Sequence, residues 1–311
     1  MTNNQSQILV SICCITYNHA PFIRKALDGF LMQEPPTGVS ADERWYEILI
    51  HDDCSSDGTT DIIREYAAKY PNKIFPLYET ENQFSKVGTG GIDMFNYNRA
   101  RGKYIAYCEG DDYWTDSYKL QKQVDFMESH QDYSVCWHRV LRYDMENNSL
   151  REDDCESYLE GQEGVDVLLM DTLDHWYTQP LSMLFRVSEY DFTCVKRYKY
   201  YRDMHEIYHL LNKGHGYLFS FIGGIYVIHK GGVSGGITQK QFFKNAYQID
   251  KEFYSVNRDY YSRETFKRTL DYEIATISKS NKIRAISLIY ERFRLMKDWK
   301  KMFKQLYHLC K

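Results

Sequence analysis

Three carboxylates lie within four positions directly after an apolar run, and their types and spacing suit metal and phosphate chemistry. The run is Tyr104 to Cys108, and Glu109, Asp111 and Asp112 follow it. A short run rich in aromatic and aliphatic residues predicts a buried strand. Carboxylates crowded at its end repel one another unless a cation or a polar ligand neutralises them. Hard oxygen ligands suit Mg²⁺ or Mn²⁺, which usually hold substrate phosphates as well. A solvated acidic turn is the alternative interpretation.

A second acidic turn has the same design. Asp52 and Asp53 follow the apolar run Tyr46 to Ile50, and small hydroxyl residues come next. Apolar positions at helical spacing then predict a helix over 59–70, which Pro71 ends. Because two turns repeat one design, a ligand site is favoured over a solvated acidic turn.

The elements that must position these acids repeat along the chain. Ile8 to Ile15 predicts a third strand, which runs into Thr16 and Asn18 and then into a helix with Pro21 in its first turn. Strand, polar turn and helix thus occur three times within about 130 residues. This alternation predicts an α/β fold with a mostly parallel sheet and helices on both faces. The three turns then share one edge of the sheet, where ligands of open α/β sheets bind.

These residues resemble the motifs of family 2 glycosyltransferases. The matching segments are the strand and turn ending at Asn18, the turn from Asp52 to Thr59, and the stretch from Gly102 to Asp112, continued by Tyr113-Trp114 and by residues 119–123. The resemblance covers roughly residues 8–235. It implies a GT-A fold, in which a Rossmann-like sheet is flanked by helices.

The resemblance also implies a reaction. Such an enzyme moves a sugar, with inversion, from a nucleotide-diphosphate donor to a hydroxyl of a glycan or lipid-linked oligosaccharide. The donor is expected to be UDP-linked, and the product is expected to be a cell-surface polysaccharide. A non-catalytic module that binds nucleotide sugars or glycans is one alternative. A sugar nucleotidyltransferase is another, although residues 8–18 lack the basic phosphate-binding loop that such an enzyme typically has.

The acidic motif departs from the family pattern at one position. The usual pattern is Asp-x-Asp-Asp, and this chain has Glu109 in the first place. Glutamate keeps the charge and reaches one methylene further. The resemblance therefore assigns the metal, Mn²⁺ or Mg²⁺, to Asp111 first, with Asp112 adjacent. Glu109 is interpreted as a partner of the ribose or of the metal ligands.

The two earlier turns resemble a nucleotide pocket. Asp53 resembles the acid that accepts a hydrogen bond from a uracil ring, and Asp52 lies beside it. Thr16 and Asn18 resemble residues that line the nucleotide. Ordinary turn chemistry is the alternative for Thr16 and Asn18, since both residue types favour such turns.

Two later segments supply the remaining candidate residues. Asp203 opens a predicted helix at the point where related enzymes carry an aspartate as catalytic base, and Glu206 is the second choice for that role. Helix capping is the alternative for Asp203. His229 ends a predicted strand ahead of four glycines and resembles the histidine that many GT-A enzymes use as a further metal ligand. A structural histidine is the alternative there.

Trp114 lies two positions past Asp112 and is the best aromatic candidate for the sugar site. Sugar rings have apolar faces that lie against aromatic rings, and Trp combines an apolar body with a polar edge. Trp114 is therefore predicted to form a wall of the sugar site. Core packing is the alternative.

Composition restricts the class of protein. The hydrophobic content is 43% and no run reaches the roughly 18 apolar residues that a membrane span needs. The N-terminus shows no signal-peptide pattern, and the eight cysteines include no C-x-x-C pair, which predicts a cytoplasmic protein without disulfides or structural zinc. The net charge of -4 gives no reason to expect a nucleic-acid partner.

The second half of the chain gives weaker signals. A catalytic domain over 1–236 and a helical, basic extension over 237–311 are predicted, and the acidic segment 144–160 is expected to be a mobile loop. Residues 281–311 carry nine Lys or Arg against two acids. In this segment one stripe is apolar: Leu288, Leu295, Trp299, Met302, Leu306 and Leu309. Such a helix either lies peripherally on the inner face of the plasma membrane or packs on the catalytic domain.

Overall fold

A computed structural model describes residues 8–40, 42–176, 179–232, 239–277 and 281–310. The first of its two compact units comprises 1–195 and 202–230, and the second comprises 196–201 and 231–311. The predicted domain boundary between residues 236 and 237 lies outside the described residues. The break at 230/231 nevertheless falls just before the predicted one, and a short segment, 196–201, joins the C-terminal unit.

The first unit is built on one mixed sheet. Its strands run in the spatial order β3-β2-β1-β4-β9-β6-β10-β5, with β7 paired to β6 and β8 to β10. The strands are β1 (Val10–Thr16), β2 (Tyr46–Asp52), β3 (Ile74–Tyr78), β4 (Tyr104–Tyr107), β5 (Tyr113–Trp114), β6 (Tyr133–Asp144), β7 (Ser149–Glu152), β8 (Gly164–Val167), β9 (Leu184–Arg186) and β10 (His215–Ile228).

The predicted parallel half of the sheet is confirmed. β1 pairs in parallel with β2 and β4, and β2 pairs in parallel with β3. All seven residues of β2 and six of the seven of β1 are buried, as expected for strands covered on both faces. β9 then runs antiparallel between β4 and β6, which makes the complete sheet mixed.

The helices of the first unit are α1 (Ile23–Leu31), α2 (Thr59–Lys69), α3 (Phe84–Tyr97), α4 (Lys119–Ser129), α5 (Glu156–Leu159) and α6 (Asp203–Leu211). The faces of α1 and α4 that pack on the sheet are apolar, and their side chains join one continuous core with β1, β2 and β4. The sequence prediction missed β3 and α3. Three glycines interrupt the pattern of α3, and at Gly88 the helix is kinked by a backbone φ of 70°.

The prediction of a mobile loop over 144–160 is wrong. β6 extends to Asp144, and the chain returns antiparallel as β7. The acids of this segment have a partner, because the buried Arg139 forms ion pairs with Glu152, Asp153 and Glu156. Asp153 also accepts a hydrogen bond from the backbone N–H of Val140 at 2.7 Å. The guanidinium of Arg139, on the preceding strand β6, therefore holds the acidic segment in place.

The second unit is helical, as predicted. Its helices are α7 (Gln239–Asn257), α8 (Tyr260–Ile277), α9 (Lys282–Met296) and α10 (Trp299–Cys310). Leu288, Met302 and Leu309 pack with Phe266, Leu270 and Ile274 of α8 in a core of this unit's own. None of the helices in the described ranges combines the length and hydropathy that a bilayer crossing requires.

Candidate functional site

The three polar turns meet at one edge of the sheet, as the sequence predicted. The β1–β2 register sets Thr16 beside Asp52, and the N–H of Asp53 donates to the Thr16 carbonyl at 3.0 Å. The N–H of Gly110 donates to the carbonyl of Ile15 at 2.8 Å, which ties the acidic motif to the end of β1. Parallel pairing of β1 with β2 and β4 therefore brings the turns after Thr16, Asp52 and Tyr107 together.

Asp111 lies between two histidines. His229 Nε2 is 3.0 Å from Asp111 Oδ2, and His19 Nε2 is 3.7 Å from the same oxygen. Burial disfavours ionisation of Asp111, but the hydrogen bond from His229 and the charge of His19 outweigh it, so the pKa of this carboxyl lies below its ordinary value. Asp111 is therefore a carboxylate at neutral pH.

The other two acids of the motif, Glu109 and Asp112, are buried in surroundings that disfavour their ionised forms. Burial raises the pKa of Glu109, and the charges of Asp111 and Asp203 raise it further. Burial likewise raises the pKa of Asp112, together with the charges of Asp111 and Glu109. Asp112 is only 1% exposed; its Oδ1 accepts from the N–H of Val227 at 2.8 Å, while Oδ2 has no partner among the described residues. Crowded carboxylates with an unpartnered oxygen are stabilised when a proton or a bound cation neutralises their charge.

The donor set fits a divalent metal. Ligand atoms of His19, Asp111 and His229 lie within 4.8 Å of one another, and so do those of Glu109, Asp111 and Asp112. Asp111 belongs to both groups, and its role as the first metal ligand stays a prediction. The sequence prediction missed His19, although it directly follows Asn18 in the first polar turn.

Gly110 allows this close arrangement. A Cβ at this position would lie 2.6 Å from Thr16 Oγ1 and 3.1 Å from His19 Nδ1, so any larger residue would push the acidic turn away from β1. Thr16 is buried, and its Oγ1 has no hydrogen-bond partner within the part of the chain that the structure describes. Its hydroxyl thus sits beneath the acidic motif.

Asn18 makes the turn contacts that were its alternative interpretation. Its backbone φ is 55°, in the left-handed region that Asn tolerates better than most residues. Its Oδ1 accepts from the N–H of Ser56 at 2.8 Å, and its own N–H donates to Ser55 Oγ at 2.9 Å. Asn18 thereby connects the first polar turn to the second.

Asp52 and Asp53 are engaged within the fold. Asp52 accepts from the N–H of Ser55 and from the hydroxyl of Thr60. Asp53 Oδ1 accepts from the N–H of Gln83 at 2.6 Å, and Oδ2 accepts from Asn82 Nδ2 at 2.8 Å and from the N–H of Phe84 at 3.0 Å. In this structure Asp53 anchors the start of α3 with both oxygens, and its contact with a uracil ring stays a prediction.

The candidate base belongs to a buried acidic group. Asp203 is the first residue of α6, and burial raises the pKa of its carboxyl. Glu206, one turn later, is 5% exposed and accepts from the Tyr97 hydroxyl at 2.9 Å. Burial raises the pKa of Glu206 to about 8, against the effect of the Tyr97 hydrogen bond. Glu206 is therefore mostly protonated at neutral pH.

Asp93 on α3 belongs to the same acidic group and escaped the sequence prediction. It accepts from the Tyr107 hydroxyl at 3.1 Å, and its pKa is raised by burial and by the charge of Glu206. Its charge and that of Asp203 both act on Glu109, which links this group to the acidic motif. The glycine-rich sequence around residues 88–91 hid the helix that carries Asp93.

Trp114 is a core residue, and its predicted role as a wall of the sugar site is wrong. Its indole is 2% exposed, and its Nε1 donates to the carbonyl of Leu181 at 2.8 Å. Phe30 packs edge-on at 4.9 Å between ring centroids, and Lys119 Nζ lies 3.8 Å from the ring centroid. Both faces and the polar edge are occupied by the protein, so no face is open to a sugar.

Comparison with known proteins agrees with this architecture. Residues 11–187 match the sequence profile described as glycosyl transferase family 2. The chain is 43% identical over 131 residues to the uncharacterized protein Rv1520 of Mycobacterium tuberculosis, covering 42% of this chain and 35% of that protein. It is 35% identical over 119 residues to the putative teichuronic acid biosynthesis glycosyltransferase TuaG of Bacillus subtilis, covering 38% and 42% respectively.

A solved structure extends the similarity to nearly the whole fold. TarS residues 1–349 of S. aureus, in complex with UDP-GlcNAc, match 93% of this chain and 81% of that one, with a TM-score of 0.63 and 16% identity. The chain spans well under half of the length of the curated relatives named above.

Proposed function

The chain belongs to glycosyl transferase family 2, and we propose from that premise that it transfers a sugar from a UDP-linked donor to a hydroxyl acceptor, with inversion and with the help of a divalent metal. The observation that carries the proposal is the position of Asp111, whose ligand atoms lie within 4.8 Å of those of Glu109 and Asp112 and whose Oδ2 is 3.0 Å from His229 Nε2. The charge of the buried Asp203 acts on Glu109. The site thus combines a ligand set for a phosphate-binding cation with a separate buried acid.

The residues divide the reaction between them. Asp111 and His229 would hold the metal, which when bound would stabilise negative charge on the departing diphosphate. Asp203 accepts the proton of the acceptor hydroxyl as that oxygen attacks the anomeric carbon. Burial raises the pKa of Asp203, which makes it a stronger base than an exposed aspartate once it is ionised. A single displacement of this kind inverts the anomeric configuration.

The donor base is proposed by analogy with a structural relative. TarS was solved with UDP-GlcNAc and with UDP. Asp53 accepts three hydrogen bonds from residues 82–84, one on Oδ1 and two on Oδ2. A carboxylate has about four acceptor sites, so the N–H of a uracil ring would share Asp53 with these donors. The variant Asn82→Ala removes one competing donor and is expected to leave UDP affinity unchanged or increased.

We propose a surface-polysaccharide acceptor, glycan or lipid-linked, on the basis of TuaG, which is named for teichuronic acid biosynthesis. Such an acceptor would place the enzyme in the cytoplasm at the inner face of the plasma membrane. The apolar stripe predicted for lipid contact is mostly core, since Leu288, Met302 and Leu309 are buried. A different, exposed surface of the C-terminal helices is therefore the candidate for lipid contact.

This surface is the aromatic and basic face of α10. Trp299, Phe303 and Tyr307 are 57%, 60% and 59% exposed and recur every four residues, so they form one column along the helix. The residues that follow each of them, Lys300, Lys304 and His308, form an exposed basic column beside it. Aromatic rings next to basic side chains suit the interface of an anionic membrane. We propose that α10 binds such a membrane peripherally.

The transfer reaction is tested by incubating the full chain and Mn²⁺ with a panel of UDP- and GDP-sugars and glycan acceptors. Acceptor-dependent release of UDP from at least one UDP-sugar is expected, and NMR of the product should show the anomeric configuration opposite to that of the donor. Retention of configuration, or release of GDP alone, would contradict the proposal.

A further inference from the structure

We propose that His19 is a ligand of the divalent cation held at Asp111, and that the resulting set of two imidazoles and one carboxylate selects Mn²⁺ over Mg²⁺. This inference rests on the proposed function and adds to it a third ligand and a metal preference. The residues involved come from three separate segments: the turn after β1, the acidic motif after β4, and the end of β10.

The spacing of the three side chains suits one shared ion. Two ligands at about 2.1 Å from a metal are about 3.0 Å apart when they subtend a right angle, and about 3.6 Å apart at 120°. The two observed separations from Asp111 Oδ2 are 3.0 Å to His229 Nε2 and 3.7 Å to His19 Nε2. The planes of the two imidazoles are 85° apart, with ring centroids at 6.1 Å, so the rings approach the carboxylate from different directions.

The chain holds His19 in this orientation from both sides. The left-handed backbone of Asn18 turns the chain directly before His19, and Asn18 is fixed by Ser55 and Ser56. On the other side, the His19 carbonyl accepts from the N–H groups of Phe22 and Ile23 at 2.9 Å each. His19 therefore ends one rigid turn and begins the entry into α1.

Neighbouring rings and a glycine complete this support. The Phe22 ring lies 6.2 Å from the His19 ring and 4.7 Å from the His229 ring, so one side chain contacts both imidazoles. The absence of a side chain at Gly110 lets the His19 ring approach the backbone of the acidic motif. A position shaped in this way is typical of a metal ligand, whose orientation the surrounding residues must fix.

A purely structural histidine is the competing interpretation, and the polar contacts argue against it. A structural imidazole that is mostly buried normally makes hydrogen bonds with the protein. The buried Nδ1 of His19 has no partner among the described residues, and Nε2 lies beyond hydrogen-bond distance of Asp111 at 3.7 Å. A cation between Nε2 and Asp111 supplies the missing interaction.

The ligand types then predict the metal. Mg²⁺ prefers oxygen ligands and octahedral geometry at 2.0–2.1 Å, whereas imidazole nitrogens bind transition ions more readily. Two nitrogen ligands and one carboxylate therefore favour Mn²⁺. Replacement of His19 by aspartate converts the set to one nitrogen and two carboxylates, and this change is expected to narrow the preference for Mn²⁺ over Mg²⁺.

The test measures metal binding to the full chain, with no sugar donor required. Mn²⁺ is titrated by electron paramagnetic resonance of the free ion, with Mg²⁺ as competitor, on the wild type and on His19→Ala, His19→Asp and His215→Ala. His215 is an exposed histidine at the opposite end of β10 from His229 and serves as the matched control. Loss of one ligand is expected to weaken Mn²⁺ binding by about tenfold or more, with Mg²⁺ affected less and His215→Ala unchanged.

A spectroscopic readout separates direct ligation from a structural effect. Electron spin-echo modulation of bound Mn²⁺ should show ¹⁴N couplings from two imidazoles in the wild type and in His215→Ala, and from one in His19→Asp, which keeps a ligand at the position. Two imidazole couplings in the His19 variants, or Mn²⁺ affinity unaffected by His19→Ala, would overturn the inference. Neither measurement depends on sugar transfer. If the wild type transfers no sugar but His19→Asp loses one imidazole coupling, the proposed function is refuted and the inference about His19 stands.

Discussion

The sheet edge and the C-terminal helices differ in the kind of side chain that each buries or exposes against the usual pattern. At the edge, charged groups are buried: Asp52, Asp53 and Asp112 are each 1% exposed. On α9 and α10, large apolar groups are exposed, among them Ile283 at 84% and Phe303 at 60%. Acids are rarely buried without partners, and soluble proteins seldom expose contiguous apolar surface without a function. Each region thus departs from ordinary packing where a ligand is proposed to bind.

The same difference distinguishes the roles that we propose for the two units. At the sheet edge, Asn18, Asp52 and Asp53 hydrogen-bond to backbone N–H groups of the turns. The helical unit has a core of its own and presents its exposed residues on the outside of that core. Substitutions at the edge should therefore change chemistry, whereas substitutions on the exposed helical face should change binding only.

The largest expected effect is that of Asp203→Asn. The amide is nearly isosteric but cannot accept the proton, and a positioned general base typically contributes about 10²- to 10⁴-fold in rate. We expect kcat for transfer to fall by that factor while the Kd for donor, measured calorimetrically, stays within about twofold. Asp61→Asn, at an exposed position on α2, is the control. Near-normal transfer by Asp203→Asn would move the role of base to Glu206 or another acid.

The next effect concerns the buried side of the helical unit. Leu288 is fully buried in its core, and a buried Leu→Ala change typically lowers the free energy of unfolding by about 2–5 kcal/mol. Ile283, on the same helix, is 84% exposed, and its change to Ala should alter stability by less than about 0.5 kcal/mol. Chemical denaturation of both variants measures the contrast. Equal losses would show that Ile283 is also covered in solution.

The exposed side of the same unit should govern membrane binding. Changing Trp299, Phe303 and Tyr307 together to Ser should leave the melting temperature nearly unchanged and strongly reduce co-sedimentation with anionic vesicles. Lys300→Gln and Lys304→Gln should each weaken binding by about 1 kcal/mol at low salt, and neutral vesicles should bind poorly. If the Ser variant binds as the wild type does, the aromatic column does not contact lipid.

The last comparison concerns a pH dependence of stability at Glu206. The pKa of its carboxyl rises from 4.5 in the unfolded chain to about 8 in the fold. Between these values the folded state holds a proton that the unfolded state releases, so the free energy of unfolding falls as pH rises from about 4.5 to 8. Glu206→Gln keeps the acceptor for Tyr97 without this loss. Its stability relative to wild type should rise over that range, by at most about 1.4 kcal/mol per pH unit.

Urea denaturation at pH 5 and pH 8 measures this difference. Asp61→Asn again serves as control, because its carboxyl is exposed on α2. A stability difference between Glu206→Gln and wild type that is the same at both pH values would show that Glu206 is ionised throughout. Its buried environment would then have to be more polar than the structure indicates.

Much of the sheet edge could be predicted from sequence because its signals are local. Apolar runs that lead into the turns at Thr16, Asp52 and Glu109 mark strand ends, and parallel pairing then brings their turns together. His19 and Asp93 escaped because their importance depends on contacts between segments that are distant in sequence. Trp114 was misassigned for the same reason: proximity to Asp112 along the chain does not say which way the side chain points.

The helical unit illustrates a second limit. Periodicity identified an apolar stripe that includes Leu288, Met302 and Leu309 but could not show whether lipid or protein covers it. The structure covers these residues with α8. The exposed aromatic column has the same helical period but lies on a different face of α10. Of its three residues, only Trp299 belonged to the stripe predicted from the sequence.

The central claim is that Asp111 anchors a metal through which the nucleotide donor binds, and thermal denaturation tests it most directly. UDP and UDP-sugars at about 100 times their Kd should add roughly 2.7 kcal/mol of stability, which is several degrees of melting temperature for a chain of this size. We expect that shift with Mn²⁺ present and its loss in excess EDTA and in Asp111→Asn. An equal shift in EDTA, or an undiminished shift in Asp111→Asn, would contradict the account.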